Sequence, residues 1–232
     1  MPRRLFPKFT GMGSLGIVAG CSGDLSALDP AGPSAASIAT LWWVMLAAAA
    51  VLFLLVVGLF LTTVFVPHFG RRVTQGQWII YGGIALPLPL LALLTFFAFW
   101  QGEYLLRGAG PPPDDIYRVE AHGTMWSWQF SYPDAPGKAP TQDVLHVPAA
   151  RTVEIAVTSG DVIHSFWIPR LGGKIDAVPG HVNYLRLRAD HPGRYGGVCS
   201  EYCGTGHAGM RFEVEAFEDA ASAAESESKE RK

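Results

Sequence analysis

The chain has 232 residues, 18 Lys plus Arg against 20 Asp plus Glu for a formal charge of −2, and three cysteines. With no basic excess to neutralise a phosphate backbone, the balance speaks against a nucleic-acid partner. A composition 49% hydrophobic and 16% charged excludes a wholly disordered chain, and three cysteines are too few for a disulfide-rich scaffold.

At the N-terminus, Arg3, Arg4 and Lys8 form a basic region ahead of the glycine-rich, weakly apolar stretch Gly11 to Gly20, which is the layout of a secretory signal. Val18-Ala19-Gly20-Cys21 resembles the bacterial lipoprotein cleavage box. The resemblance predicts a signal peptide over residues 1–20, a lipidated Cys21 as the first mature residue, and an external segment over 21–37.

Two charge-free apolar runs follow, Ile38 to Val66 and Trp78 to Trp100. About 20 predominantly apolar residues cross a bilayer core as a helix, so residues 38–100 are predicted to form a transmembrane hairpin. Trp42 and Trp43 lie near one end of the first run, and Trp78 and Trp100 bracket the second, matching the headgroup preference of indole. Pro87 and Pro89 predict a kink in the second helix. The short loop Pro67–Gln77 carries Arg71 and Arg72, which the positive-inside rule places in the cytoplasm. Both flanking regions then face the other side.

Pro111-Pro112-Pro113-Asp114-Asp115 reads as a stiff linker. Beyond it the apolar residues alternate with period two, predicting strands at Ile116–Ala121, Met125–Tyr132, Val153–Thr158, Val162–Ile168, Asn183–Arg188 and Arg211–Phe217. Turn clusters at Pro133–Pro140, Leu171–Gly173 and Pro192–Gly193 separate them. Short strands in this number imply an all-β sandwich or barrel over 101–217. The Ala, Ser and Glu-rich tail, 218–232, is predicted to be disordered.

The chemistry lies in Cys199-Ser-Glu-Tyr-Cys203-Gly-Thr-Gly-His207-Ala-Gly-Met210. Thiolates, imidazole and thioether together are the copper set, whereas zinc gains little from a thioether. The glycines of the segment predict a tight loop that turns several donors onto one point. A second imidazole must come from elsewhere, and His164, in Asp161-Val-Ile-His164-Ser-Phe-Trp-Ile-Pro169 at a strand end, is the candidate. His122, His146, His181 and His191 lack such company and read as surface or structural residues. A Cys199–Cys203 disulfide is the plain alternative in an oxidising compartment, though it leaves the spacing of His and Met unexplained.

Cys-x3-Cys-x3-His-x2-Met with an upstream Asp-x-x-His-Ser resembles subunit II of the bacterial haem–copper cytochrome c oxidases, and the likeness extends over roughly residues 35–217. It implies a Greek-key cupredoxin-like barrel after the helix hairpin, in a bacterial inner membrane with the C-terminal domain in the periplasm. It also implies a dinuclear copper centre, CuA. Cys199 and Cys203 would bridge the coppers, and His164 and His207 would each bind one. Met210 and the Glu201 carbonyl would be weak ligands. The Glu201 side chain would help hold a magnesium ion shared with subunit I. Implied partners are subunits I and III, cytochrome c as donor, and the lipid bilayer. Gly123-Thr-Met-Trp126-Ser-Trp128-Gln-Phe130-Ser-Tyr132 resembles the family's aromatic segment, in which the residue matching Trp126 receives electrons from cytochrome c. The four rings share one parity, so some must be packing residues.

Three positions depart from the family's pattern. No acid precedes the second span in Arg72-Val-Thr-Gln75-Gly-Gln77-Trp78, where a carboxylate commonly serves a proton channel. Asp134 is the one acid close after the aromatic segment. His181 stands where Arg is usual. The alternatives from other classes are a quinol oxidase subunit II that has lost copper and a membrane-anchored copper carrier. The intact ligand pattern argues against the first.

Overall fold

The structure, a computed structural model, describes residues 22–70, 72–107, 116–135 and 137–218. The predicted signal peptide, Cys21, Arg71, the linker 111–115 and the tail from 219 lie outside the described residues.

Helix α1 (Pro33–Phe65) opens on a proline at a first-turn position, where the missing N–H costs no hydrogen bond. Its 33 residues make it about 50 Å long at 1.5 Å per residue, against a hydrocarbon core of about 30 Å. Its N-terminal end extends upstream of the predicted start at Ile38. That end is docked on the β domain. The Ala31 amide donates to the Arg170 carbonyl at 2.7 Å, and the Asp190 amide donates to the Ala31 carbonyl at 2.9 Å. Arg170 pairs with the Asp29 carboxylate at 3.1 Å, and Ala35 and Ala39 are buried.

The second span is α2 (Gln75–Ile80), a π-helical turn (Tyr81–Ala85) and α3 (Pro87–Arg107). Thr74 caps α2 in a reciprocal box with Gln77. The irregularity expected at Pro87 and Pro89 takes the form of that π turn. The Leu86 amide reaches back to the Tyr81 carbonyl at 3.0 Å, so Pro87, which has no N–H to give, falls at the start of a fresh helix. Both spans are long and apolar enough to cross a membrane.

The β domain contains β1 (Tyr117–Thr124), β2 (Ser127–Ser131), β3 (Thr141–Gln142), β4 (Val144–Pro148), β5 (Val153–Ser159), β6 (His164–Trp167), β7 (Ile175–Ala177), β8 (Asn183–Leu187), β9 (Gly193–Cys199) and β10 (Arg211–Phe217). They form two five-stranded sheets, ordered β3-β2-β1-β5-β8 and β4-β10-β9-β6-β7. β1 runs parallel to β5 and β4 parallel to β10, and the remaining neighbours are antiparallel. This is the expected cupredoxin-like sandwich. The sheets bury facing residues such as Val153, Ile155 and Val157 of β5 and Phe212 and Val214 of β10. Each fully buried side chain of this size contributes about 1.5–3 kcal/mol.

Three predicted strands shorten, the one at Asn183 by a single residue, and four strands were not predicted. The strand expected from Met125 begins at Ser127, because Met125 and Trp126 form the turn between β1 and β2. That break takes Trp126 out of the alternation. Trp128, Phe130 and Tyr132 are buried, whereas Trp126 is 43% exposed. The strand expected over Val162–Ile168 contracts to β6. The unpredicted β9 is glycine-rich for a packing reason. A Cβ at Gly197 would collide with the Phe212 ring, and one at Gly196 would lie 2.8 Å from Leu25. Beneath the loop that follows β9 lies an aromatic cluster. Phe166 and Phe212 stack at 4.8 Å between ring centres, and Trp128 stands edge-on to Phe166 at 5.4 Å.

Candidate metal centre

Strand register assembles the site. β6 opens with His164 and β9 closes with Cys199, and the two strands are neighbours, with Phe166 opposite Cys199. From Cys199 the chain loops out and returns at Met210, where β10 begins. The loop is closed by the Cys199 amide donating to the Met210 carbonyl at 3.0 Å. A 3₁₀ turn over His207–Gly209 tightens its far side. Gly204, at φ +115°, supplies the left-handed step that turns the chain after Cys203.

The loop converges its donors on one point. Cys199 Sγ and Cys203 Sγ are 3.8 Å apart. His164 Nδ1 lies 3.8 Å from Cys199 Sγ, and His207 Nδ1 lies 3.5 Å from Cys203 Sγ. The Met210 thioether is 3.7 Å from Cys203 Sγ, and the Glu201 carbonyl is 3.3 Å from Cys199 Sγ. The ligand atoms of His164, Cys199 and Cys203 all lie within 4.8 Å of one another. A disulfide needs about 2.05 Å between sulfurs, so the pair stands as two free thiols rather than a crosslink. Thiols, imidazoles and a thioether around one buried point suit a soft, thiophilic ion such as copper. Burial pushes the Cys203 thiol up to about 11, with the Cys199 hydrogen bond adding to it. A cation at this point would reverse that preference by stabilising thiolate.

One residue that sequence reading quoted only as context has a clear place. Asp161 Oδ1 lies 2.9 Å from His164 Nε2 and orients the ring so that Nδ1 faces the thiols. The same carboxylate accepts from the Met125 amide at 2.7 Å and from the Val162 amide at 2.7 Å. Burial opposes its ionisation, but the Met125, His164 and Val162 hydrogen bonds outweigh that and hold the carboxyl at about 2. The Asp-x-x-His spacing was the available signal. His164 itself is fully buried, with the Trp128 ring 6.0 Å away.

Trp126 lies over the loop, its indole N–H donating to the Cys203 carbonyl at 3.2 Å. The Glu201 side chain is about half exposed and lies 3.8 Å from Lys174 Nζ. His122 and His146 sit away from the cluster. His122 bonds Thr158 at 2.9 Å and His146 pairs with Glu215 at 3.2 Å, while His181 and His191 are exposed.

Two membrane-length helices, a cupredoxin-like domain and a buried soft-metal donor set define a membrane-anchored metal-site protein of the cupredoxin class. Comparison with known proteins narrows this. The family described as cytochrome C oxidase subunit II, periplasmic domain, matches residues 139–217. Cytochrome c oxidase subunit 2 of Alkalihalophilus pseudofirmus is 33% identical over 216 residues, covering 87% of this chain and 62% of that one. The probable subunit 2 of Rickettsia felis is 34% identical over 149 residues, covering 56% and 46%. The crystal structure of the periplasmic domain of subunit II from Bradyrhizobium japonicum aligns with a TM-score of 0.43 at 32% identity, over 52% of this chain and 96% of that one. The chain is matched by the cytochrome c oxidase subunit II family within its β domain and is similar to subunit 2 of these relatives. It spans less than two thirds of the length of these curated relatives.

Proposed function

We propose that the chain is subunit II of a respiratory haem–copper oxidase, a part of the oxidoreductase rather than a catalyst by itself. It accepts electrons from cytochrome c at a dinuclear copper centre and passes them to the haem of subunit I, where oxygen is reduced to water. The observation that carries this reading is the convergence of His164 from β6 with Cys199, Cys203, His207 and Met210 of the loop that follows β9.

Bound copper would supply a reversible one-electron couple. Cys199 and Cys203 would bridge the two ions, His164 and His207 would each hold one, and Met210 and the Glu201 carbonyl would complete the set. The protein's part is to keep these donors still. The register of β6 and β9 fixes His164 against Cys199, Asp161 holds the imidazole orientation, and the aromatic cluster beneath prevents collapse. A site that does not rearrange when its charge changes favours electron transfer over bond chemistry. Trp126, on the solvent side of the loop and bonded to Cys203, is the point of electron uptake. The Glu201 side chain would contribute to a magnesium site shared with subunit I, in exchange for its exposed contact with Lys174. Subunit III and the bilayer are the remaining partners. The membrane is a bacterial inner membrane, with the β domain in the periplasm.

The test is a copper count with an EPR spectrum on the full chain in detergent. Two coppers per chain and a mixed-valence signal are expected. One copper, or zinc that copper does not displace, would overturn the reading in favour of a carrier.

A further inference from the structure

We infer that Gly206 is the seat of the Trp126 indole and thereby a positioning residue for electron uptake. The inference rests on the reading of Trp126 given above, and adds what sets the ring's distance from the ligands.

The Met125 amide is tied to Asp161 at 2.7 Å, which fixes the backbone where the side chain departs. The indole beyond it is 43% exposed and has one hydrogen bond, to the Cys203 carbonyl at 3.2 Å. On the loop side it lies against the backbone at Gly204 and Gly206. A Cβ added at Gly206 would sit inside contact distance of the indole Cδ2, and 2.7 Å from Cγ and Cε3. At Gly204 an added Cβ would meet the ring at ordinary contact, 3.4 Å from Cζ2. At Gly209 it would meet nothing within 4 Å. The ring therefore lies across the backbone between Cys203 and His207, and residue 206 alone among these glycines has no room for a methyl group.

The backbone at Gly206 does not itself demand glycine. Its φ of −89° and ψ of 0° are open to other residues, so Gly206→Ala leaves the loop path and the ligand positions in place. What must yield is the half-exposed indole, which can swing toward solvent. The change breaks the bond to Cys203 and lengthens the route from the ring to the donors without touching a ligand.

The experiment uses the full-length chain in detergent with indole ¹⁵N-labelled tryptophan. The Trp126 N–H resonance is identified by its loss in Trp126→Phe. In the metal-free chain, Gly206→Ala should move this resonance to a solvent-exposed position with faster exchange, while Gly209→Ala should leave it in place. In the copper-loaded chain, Gly206→Ala should keep the copper count and visible spectrum. It should slow uptake from a reduced soluble c-type cytochrome by roughly tenfold or more, as small misplacements of a reacting group do, with half-saturation by the donor within about twofold of the parent. An unmoved resonance in Gly206→Ala overturns the seat. A moved resonance with an unchanged uptake rate overturns its role in positioning. If Trp126→Phe itself takes up electrons at the parent rate, the uptake reading of Trp126 falls, while the resonance still decides whether Gly206 seats the ring.

Discussion

Asp161 Oδ1 and His164 Nε2 lie 2.9 Å apart, three residues from each other in sequence and with the imidazole fully buried. A carboxylate fixing the outer nitrogen of a ligating histidine sets both its tautomer and its angle. Asp161→Ala should therefore weaken copper retention by about 10–100-fold, measured by competition with a chelator. Copper affinity equal to that of the parent chain would show that the strand alone orients the ring.

The ligand loop makes graded predictions. Cys203→Ser replaces a soft donor that neighbours Cys199, His207 and Met210, all within 3.8 Å. It should abolish the two-copper spectrum. Met210→Leu should retain copper but shift the reduction potential and speed loss to chelator, because a thioether tunes more than it holds. Equal effects of the two changes would contradict this ranking.

Gly197→Ala tests the packing of β9. The added methyl collides with the Phe212 ring, which is itself stacked on Phe166. Overpacking of this kind costs about 1–3 kcal/mol, so the melting temperature of the chain should fall measurably. An unchanged melting curve would mean that Phe212 has room to retreat.

Topology follows from Arg71 and Arg72 in the loop between the spans. A reporter fused after Lys232 should be active in the periplasm and silent in the cytoplasm, and the reverse would break the hairpin. Mass spectrometry of the mature N-terminus should find a lipidated Cys21; an intact Met1 would remove the anchor without affecting the copper site.

The parts of the molecule most legible in the sequence were those governed by simple periodicity or by donor chemistry. The helices stand out because a bilayer demands long apolar runs, and β5 and β10 because one face of each is buried. Cys199, Cys203, His207 and Met210 fall on one loop, so their spacing is local. Less legible were features set by partners distant in sequence. β9 went unpredicted because glycines stand where Leu25 and the Phe212 ring occupy the space side chains would need, at Gly196 and Gly197. The Met125–Trp126 turn interrupts an apparently continuous alternation because Asp161 captures the Met125 amide. Helix α1 starts upstream of the charge-free run that begins at Ile38, because Pro33 at its first turn and the small residues after it carry little apolar signal.

The docked head of α1 gives the molecule a mast rather than a tether. Asp29, Ala31 and Gly32 lock onto Arg170, Arg188 and Asp190, and Arg170 follows Trp167, the end of β6 opposite His164. The first span therefore leaves the β domain through paired backbone and side-chain contacts rather than through a free linker.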